Sequence, residues 1–263
     1  MVKIKKNKGI WKNKLMLGIP TKGIVRYEWV IGRYSQVIPV NWSLSEFVAK
    51  YIDVDSLFPV TWSPIGYLVH DAYNLIVKSA VEGGFEWLLT IEDDVIVPQD
   101  LFVRIRKYVD GGQYPVVSGL YFTKSNPSEP QIYRGRGNGP FRKWKMGELV
   151  WCDGVAMGCL LVHMSLLRLM WEESPEYTLP DGTKTRKVFD TPAEKWFDQE
   201  TGQYKALVGT QDLYWCDRVI REKVLERAGW KRIGKKKYPF LVDTTIFCRH
   251  IDLNTGLVYP FNF

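Results

Sequence analysis

The stretch FEWLLTIEDDVIV, residues 85–97, constrains this chain more than any other. Trp87, Leu88, Leu89, Thr90 and Ile91 form an apolar run that ends in three adjacent carboxylates, Glu92, Asp93 and Asp94, before Val95, Ile96 and Val97 resume it. Bounded by Gly83-Gly84 and Pro98, such a run suits a strand buried on both faces, as in parallel sheets. Three acids at its tip are costly, because like charges repel and carboxylates resist losing water. A divalent cation resolves that conflict; oxygen ligands suit Mg²⁺ or Mn²⁺, which keep room for substrate phosphates. The same triplet also suits a solvated turn whose acids cap a helix starting near Pro98.

Around this strand the chain alternates. Residues 14–19 read as the first strand, Pro20-Thr21-Lys22-Gly23 as the loop after it, 25–34 as a helix and 36–40 as a second strand, with a short helix at 44–51. Residues 66–81 carry apolar side chains at helical spacing, and Asp71 and Asn74, three apart, share a face that can meet a ligand or solvent. A helix over 99–109 stops at Asp110-Gly111-Gly112, and 114–120 is another buried strand. Residues 123–142 are loop, with one short strand at 131–134. Strands at 148–153 and 157–163 turn at Gly154 and Gly158, and Ser165 is the expected N-cap of a short helix over 165–171. Residues 172–204 lack periodicity and read as an irregular lid or acceptor-facing insertion. Thr210 is placed to cap one long helix, 213–228, closed by Gly229; 239–242 is the last strand, and 245–250 leads to Arg249, His250 and Asp252. This order predicts one α/β domain of Rossmann type, with a central mostly parallel sheet, helices on both faces and a mixed C-terminal half.

The net charge of +7 is uneven. Lys3, Lys5, Lys6, Lys8, Lys12 and Lys14 face no acid among the first fourteen residues, so 1–13 read as a basic flexible arm on a nearly neutral body. Lys231, Arg232, Lys235, Lys236 and Lys237 form a second cluster. Such clusters are first of all solvated segments; weak contact of Lys3–Lys14 with an anionic surface is the lesser reading, and no nucleic acid is expected. The four cysteines lack a C-x-x-C pair and read as reduced, buried thiols. No apolar run reaches the roughly 18 residues of a membrane span, and no apolar leader follows the first lysines, so a cytoplasmic location is expected.

Taken in order, PTKG (20–23), DAYN (71–74), LLTIEDDVIVP (88–98), VVSGLYF (116–122), DGVAMGCLLV (153–162), WF (196–197), GTQDLYWCDRV (209–219) and CRHID (248–252) resemble the nucleotide-sugar-dependent glycosyltransferases of GT-A type from bacteria, archaea and their viruses. The resemblance spans most of the chain from residue 14. It implies a hexosyltransferase that takes a UDP- or GDP-sugar, binds it through residues 14–122, and meets a glycan, lipid or protein acceptor through residues 123–263. The triplet resembles the family's D-x-D motif, with Asp94 holding Mn²⁺ or Mg²⁺ and Glu92 or Asp93 contacting the ribose or the metal shell. Glu92 departs from the commoner Asp. His250 resembles a late histidine that completes the metal site, and imidazole suits Mn²⁺; a satisfied structural histidine is the other reading, the one expected for His70 and His163. Pro20, Thr21 and Gly23 of the first loop, Asp71, Asn74 and Asp153 complete the expected donor-binding set. Asp212, at a helix start, resembles the acid that takes the acceptor's proton if the reaction inverts the anomeric centre; otherwise it caps the helix or orients the acceptor. Trp151, Trp196 and Phe197 are candidate stacking platforms or core. Two other classes compete: a nucleotidyltransferase of similar fold, for which PTKG is a poor first loop, and a nucleic-acid-binding protein using the basic arm.

Overall fold

The computed structural model describes residues 11–36, 61–135 and 138–261. The expected strand beyond Gln36, the short helix at 44–51 and the arm before Trp11 lie outside the described residues.

The strands are β1 (Asn13–Gly18), β2 (Thr61–Trp62), β3 (Phe85–Ile91), β4 (Val95–Ile96), β5 (Val116–Leu120), β6 (Ile132–Tyr133), β7 (Leu149–Cys152) and β8 (Gly154–Val155). They continue with β9 (Cys159–His163), β10 (Glu176–Thr178), β11 (Lys184–Arg186), β12 (Ala193–Asp198), β13 (Gln203–Val208), β14 (Phe240–Phe247), β15 (Arg249–Ile251) and β16 (Val258–Tyr259). The helices are α1 (Tyr27–Tyr34), α2 (Val69–Glu82), α3 (Leu101–Gly111), α4 (Met164–Glu173), α5 (Gln211–Arg221), α6 (Val224–Arg227) and α7 (Lys231–Gly234).

A seven-stranded sheet in the order β2-β1-β3-β9-β5-β14-β7 is the spine. The pairs β1–β2, β1–β3 and β5–β14 are parallel, whereas β9 runs against β3 and β5, and β7 against β14. Five strands therefore point one way, and the sheet is parallel at its N-terminal end and mixed beyond it. Both faces are covered. On one, Met16, Leu88, Leu160 and Val242 pack with Tyr73, Ile76 and Val77 of α2, Leu167 and Met170 of α4, and Trp215 and Val219 of α5. On the other, Leu17, Leu89, Leu161 and Leu241 pack with Trp29 of α1 and Leu101, Phe102 and Ile105 of α3. Neighbouring residues along each strand thus serve opposite cores, which is why these strands read as continuous apolar runs. Strand β1 approaches α2 so closely that a Cβ on Gly18 would lie 2.5 Å from Ile76 Cγ2.

Three local expectations need correction. Residues 172–204 are two antiparallel hairpins, β10–β11 and β12–β13, the first turning at Pro180-Asp181-Gly182 with Gly182 at φ +85°. The strands of the first hairpin are three residues long and polar, and those of the second, AEKWFD and QYKALV, lack a regular alternation, so no apolar period announces them. The helix expected over 213–228 breaks at Lys223, whose φ is +51°, because Val224 and Leu225 turn inward to full burial. The cap of α4 is His163 rather than Ser165: its Nδ1 accepts from the Ser165 N–H at 3.2 Å. All four cysteines are free and buried. Among the described residues, no helix is long and apolar enough to cross a membrane.

Candidate functional site

The acid triplet follows β3 at the carboxyl end of the parallel strands, where open α/β sheets hold their ligands. Its backbone is tied from several directions. Trp29 Nε1 on α1 donates to Glu92 O at 2.7 Å, Glu92 N donates to Gly158 O at 3.0 Å, and Ile251 N donates to Asp94 O at 2.8 Å. Gly158 has no room for a side chain, since a Cβ there would lie 2.6 Å from Val95 Cγ2 and 2.8 Å from the Tyr121 ring. Strand β15 pairs with β4 directly beyond the triplet and sets His250 opposite Val95. That pairing brings residue 250 beside residues 92–94, with His250 Nε2 at 3.3 Å from Asp94 Oδ2.

These groups line a cleft of about 450 Å³, with Pro20, Thr21 and Lys22 on one wall and Thr123, Lys124 and Gln131 on another, and with Tyr67, Val69 and Gln211 also lining it. The volume suits a small-molecule ligand. Each acid has a different setting. The Glu92 carboxyl is pushed up to about 8 by burial and by the charges of Asp94, Asp212 and Asp93, against the Tyr73 hydroxyl that donates to Oε1 at 2.9 Å. Asp93 is raised by burial, although Lys22 N donates to its Oδ2 at 3.1 Å and the Thr21 hydroxyl also bonds it. Burial pushes Asp94 up too, but His250 and Lys124 more than offset this and hold it below the ordinary carboxylate value. The Lys124 ammonium donates to Asp94 Oδ2. The other oxygen, Oδ1, is buried with no hydrogen-bond partner.

That orphaned oxygen is the observation that fits a cation, since a buried carboxylate oxygen without a partner carries a large desolvation cost. The His250 tautomer fits as well: Nδ1 lies 2.9 Å from Phe122 O, to which it donates, leaving Nε2 to face the acids. Among the described residues, no three His, Cys, Asp or Glu side chains form a ready-made cage. Mg²⁺-type sites commonly use one or two carboxylates and complete the shell with substrate phosphates.

The remaining expected site residues divide. Pro20 and Thr21 line the cleft; Gly23 does not, but its N–H donates to Thr21 Oγ1 at 2.9 Å and its φ of +93° shapes the loop. Asp71 and Asn74 face away from the cleft, toward the first hairpin. Tyr177 donates to Asp71 Oδ1 at 2.5 Å, and Asn74, fully buried, accepts from Phe189 N at 2.8 Å and donates to Phe189 O at 2.9 Å. Asp153 accepts from Gly135 N at 3.0 and 2.9 Å through its two oxygens and orders the loop after β6. Asp212 sits in the first turn of α5 beside the cleft-lining Gln211, bonded by the Thr210 hydroxyl and by Leu213 N at 2.8 Å. Burial raises its carboxyl, and these two donors partly offset the rise. His163 is structural, packed between Trp87 and Trp230; His70 contacts Thr191 and Asp71. Trp151 packs partly buried against both cores, Phe197 is half exposed, and the Trp196 side chain lies outside the described residues.

Sequence reasoning passed over Tyr73 and Trp29, which hold Glu92; it offered Arg249 or a basic residue of the 123–142 loop to bond a diphosphate, without singling out Lys124, which holds Asp94. Tyr73 lay inside the noticed DAYN segment: a helix turning 100° per residue points Asp71 and Asn74 at the hairpin and the residue between them at the acids. No local pattern marks Trp29 or Lys124.

No family model matches the chain, and no curated protein matches it. Among solved structures, A197 from STIV aligns at 13% identity over 93% of this chain and 92% of that one, with a TM-score of 0.49. S. aureus TarS 1–349, in complex with UDP, aligns at 13% identity over 59% of this chain and 48% of TarS, at a TM-score of 0.35. A putative glucose-1-phosphate thymidylyltransferase from Bacillus anthracis aligns at 10% identity over 61% and 76%, at 0.34. A glycosyltransferase involved in the glycosylation of the major capsid of PBCV-1 also aligns, at 14% identity over 60% of this chain and 65% of that one, with a TM-score of 0.27.

Proposed function

We propose that the chain is a glycosyltransferase that takes a sugar from a nucleoside-diphosphate donor, a UDP- or GDP-sugar, and passes it to an acceptor hydroxyl. The observation that carries the reading is the meeting of Asp94, with one buried unpartnered oxygen, and His250 at the carboxyl end of the parallel strands. Asp94 and His250, with Glu92 beside them, are the residues that would hold Mn²⁺ or Mg²⁺. When bound, such an ion supplies Lewis-acid stabilisation of the departing diphosphate. The first loop and Asp93 form the wall on which the nucleoside would lie, because Thr21 and Lys22 are fixed against Asp93. Asp212 is the candidate base for an inverting transfer. Its burial raises its proton affinity, and its place in the first turn of α5 keeps it beside the cleft.

The test is turnover of a panel of UDP- and GDP-sugars, read as release of free nucleoside diphosphate with Mn²⁺ and with chelator. Metal-dependent release supports the reading; no release from any donor, together with no binding of UDP or GDP, removes it. Lys22 on the cleft wall supports a second reading, nucleotidyl transfer, which needs a cation near the triphosphate in its first loop. Pyrophosphate release from a nucleoside triphosphate and a sugar phosphate would favour that reaction over sugar transfer.

A further inference from the structure

Lys124 and Asp94 form an ion pair on the cleft wall, their side chains 26% and 21% exposed. The backbone under Lys124 is fixed: Thr123 N donates to Glu129 O at 2.9 Å, Glu129 N donates to Thr123 Oγ1 at 2.9 Å, and Gln131 N donates to Tyr121 O at 3.0 Å. Movement of the ammonium therefore needs side-chain rotation alone. The pair is also an incomplete solution to burying Asp94, because the lysine satisfies Oδ2 and leaves Oδ1 with nothing. An anionic ligand entering this cleft meets Glu92, Asp93 and Asp94, with Lys22 and Lys124 as the lining cations, and one of those two is already committed to a carboxylate.

We infer that Lys124 is an exchangeable counter-ion: in the empty cleft it neutralises Asp94, and when a nucleoside diphosphate arrives with a divalent cation it yields Asp94 to the cation and binds the diphosphate. This rests on the donor reading above. The exchange leaves no buried charge alone, since the cation takes the carboxylate as the lysine leaves it. The ammonium trades one charge-assisted bond, to a carboxylate, for another, to a phosphate. Charge in the cleft stays balanced: the cation covers the carboxylate that the lysine vacates, and the lysine covers part of the charge the ligand brings.

The consequence is a pair of effects of opposite sign. Calorimetric titrations of the full chain with Mn²⁺ alone, and with UDP or GDP at saturating Mn²⁺ or with chelator, are compared for wild type, Lys124→Met and Lys124→Arg. Thermal unfolding checks that each variant folds. Lys124→Met should bind Mn²⁺ alone at least about twofold more tightly, because its competitor is gone. It should bind the nucleoside diphosphate with Mn²⁺ at least about tenfold more weakly. Lys124→Arg, which keeps the charge, should stay near wild type in both. Changes of the same sign, or no change in Mn²⁺ affinity, overturn the exchange. So does equal nucleoside-diphosphate binding with Mn²⁺ and with chelator, since the lysine would then replace the cation rather than trade places with it. If wild type binds neither UDP nor GDP, the donor reading fails separately. The Mn²⁺ titration alone then decides whether Lys124 competes for Asp94.

Discussion

The two oxygens of Asp94 live in different surroundings, one shared by Lys124 and His250 and the other buried without a partner. An acid so placed has little reason to exist unless something positive completes its shell. Asp94→Ala should therefore leave the fold intact and weaken Mn²⁺-dependent binding of UDP or GDP by at least about a hundredfold, measured by calorimetry. Unchanged affinity would detach Asp94 from the donor. Asp212 is set apart by a different feature, a carboxyl raised by burial at the mouth of a helix. Asp212→Asn should lower turnover by roughly 10² to 10⁴ while sparing donor binding, as expected for loss of a general base. Normal turnover in that variant would reduce Asp212 to a helix-capping role.

At the scale of elements, two contacts hold the neighbours of the cleft-lining segments in place. The first hairpin and the segment after it are held to α2 by the buried Asn74 amide, which donates to the Tyr177 hydroxyl at 3.0 Å and serves both the N–H and the carbonyl of Phe189. Asn74→Ala would strand both groups without water, and should cost roughly 2 to 4 kcal/mol, visible as a lowered denaturant midpoint. The second contact is the turn between β8 and β9 against the acid triplet. Gly158→Ala would drive a methyl into Val95 and Tyr121 and should cost about 1 to 3 kcal/mol. Because Gly158 O also accepts from Glu92 N, donor affinity should fall in parallel with stability. A stable variant with full affinity would show that this turn has slack.

For the whole molecule, the clearest pH dependence comes from His163, which links the end of β9 to α4 and lies under Trp87, Trp11 and Trp230. Burial, helped by the charge of Lys14, lowers its value from 6.5 to about 4. The unfolded chain takes up this proton near pH 6.5 and the folded chain only near pH 4. The His163 contribution to stability is therefore complete above pH 6.5 and falls as pH drops through that window, by about 3 kcal/mol at most. Glu92, pushed up to about 8, acts with the opposite sign over an overlapping window, so the slope is read as the difference between wild type and a His163 variant. Urea unfolding at a series of pH values should show the slope. His163→Asn, which keeps an N-capping oxygen, should flatten it even though it loses ring packing. An unchanged slope would assign the dependence to other groups.

The alternation of strands and helices, the doubly buried sheet and the acid triplet at its edge were all legible in order of residues, because apolar runs and carboxylates are local properties of the chain. The hairpins within residues 172–208 were not, since the first is docked by contacts such as Asp71 and Asn74 with Tyr177 that no window of sequence contains. Nor was the break at Lys223, where burial of Val224 and Leu225 overrides helical spacing. His250 could be placed beside Asp94 beforehand only by resemblance to a family. In the molecule the pairing of β15 with β4 does it, across more than 150 residues of intervening chain. Residue type alone determined which groups could carry the chemistry. Which of them share one cleft, and that Lys124 stands on Asp94, were decided by strand register and by where the loops are tied down.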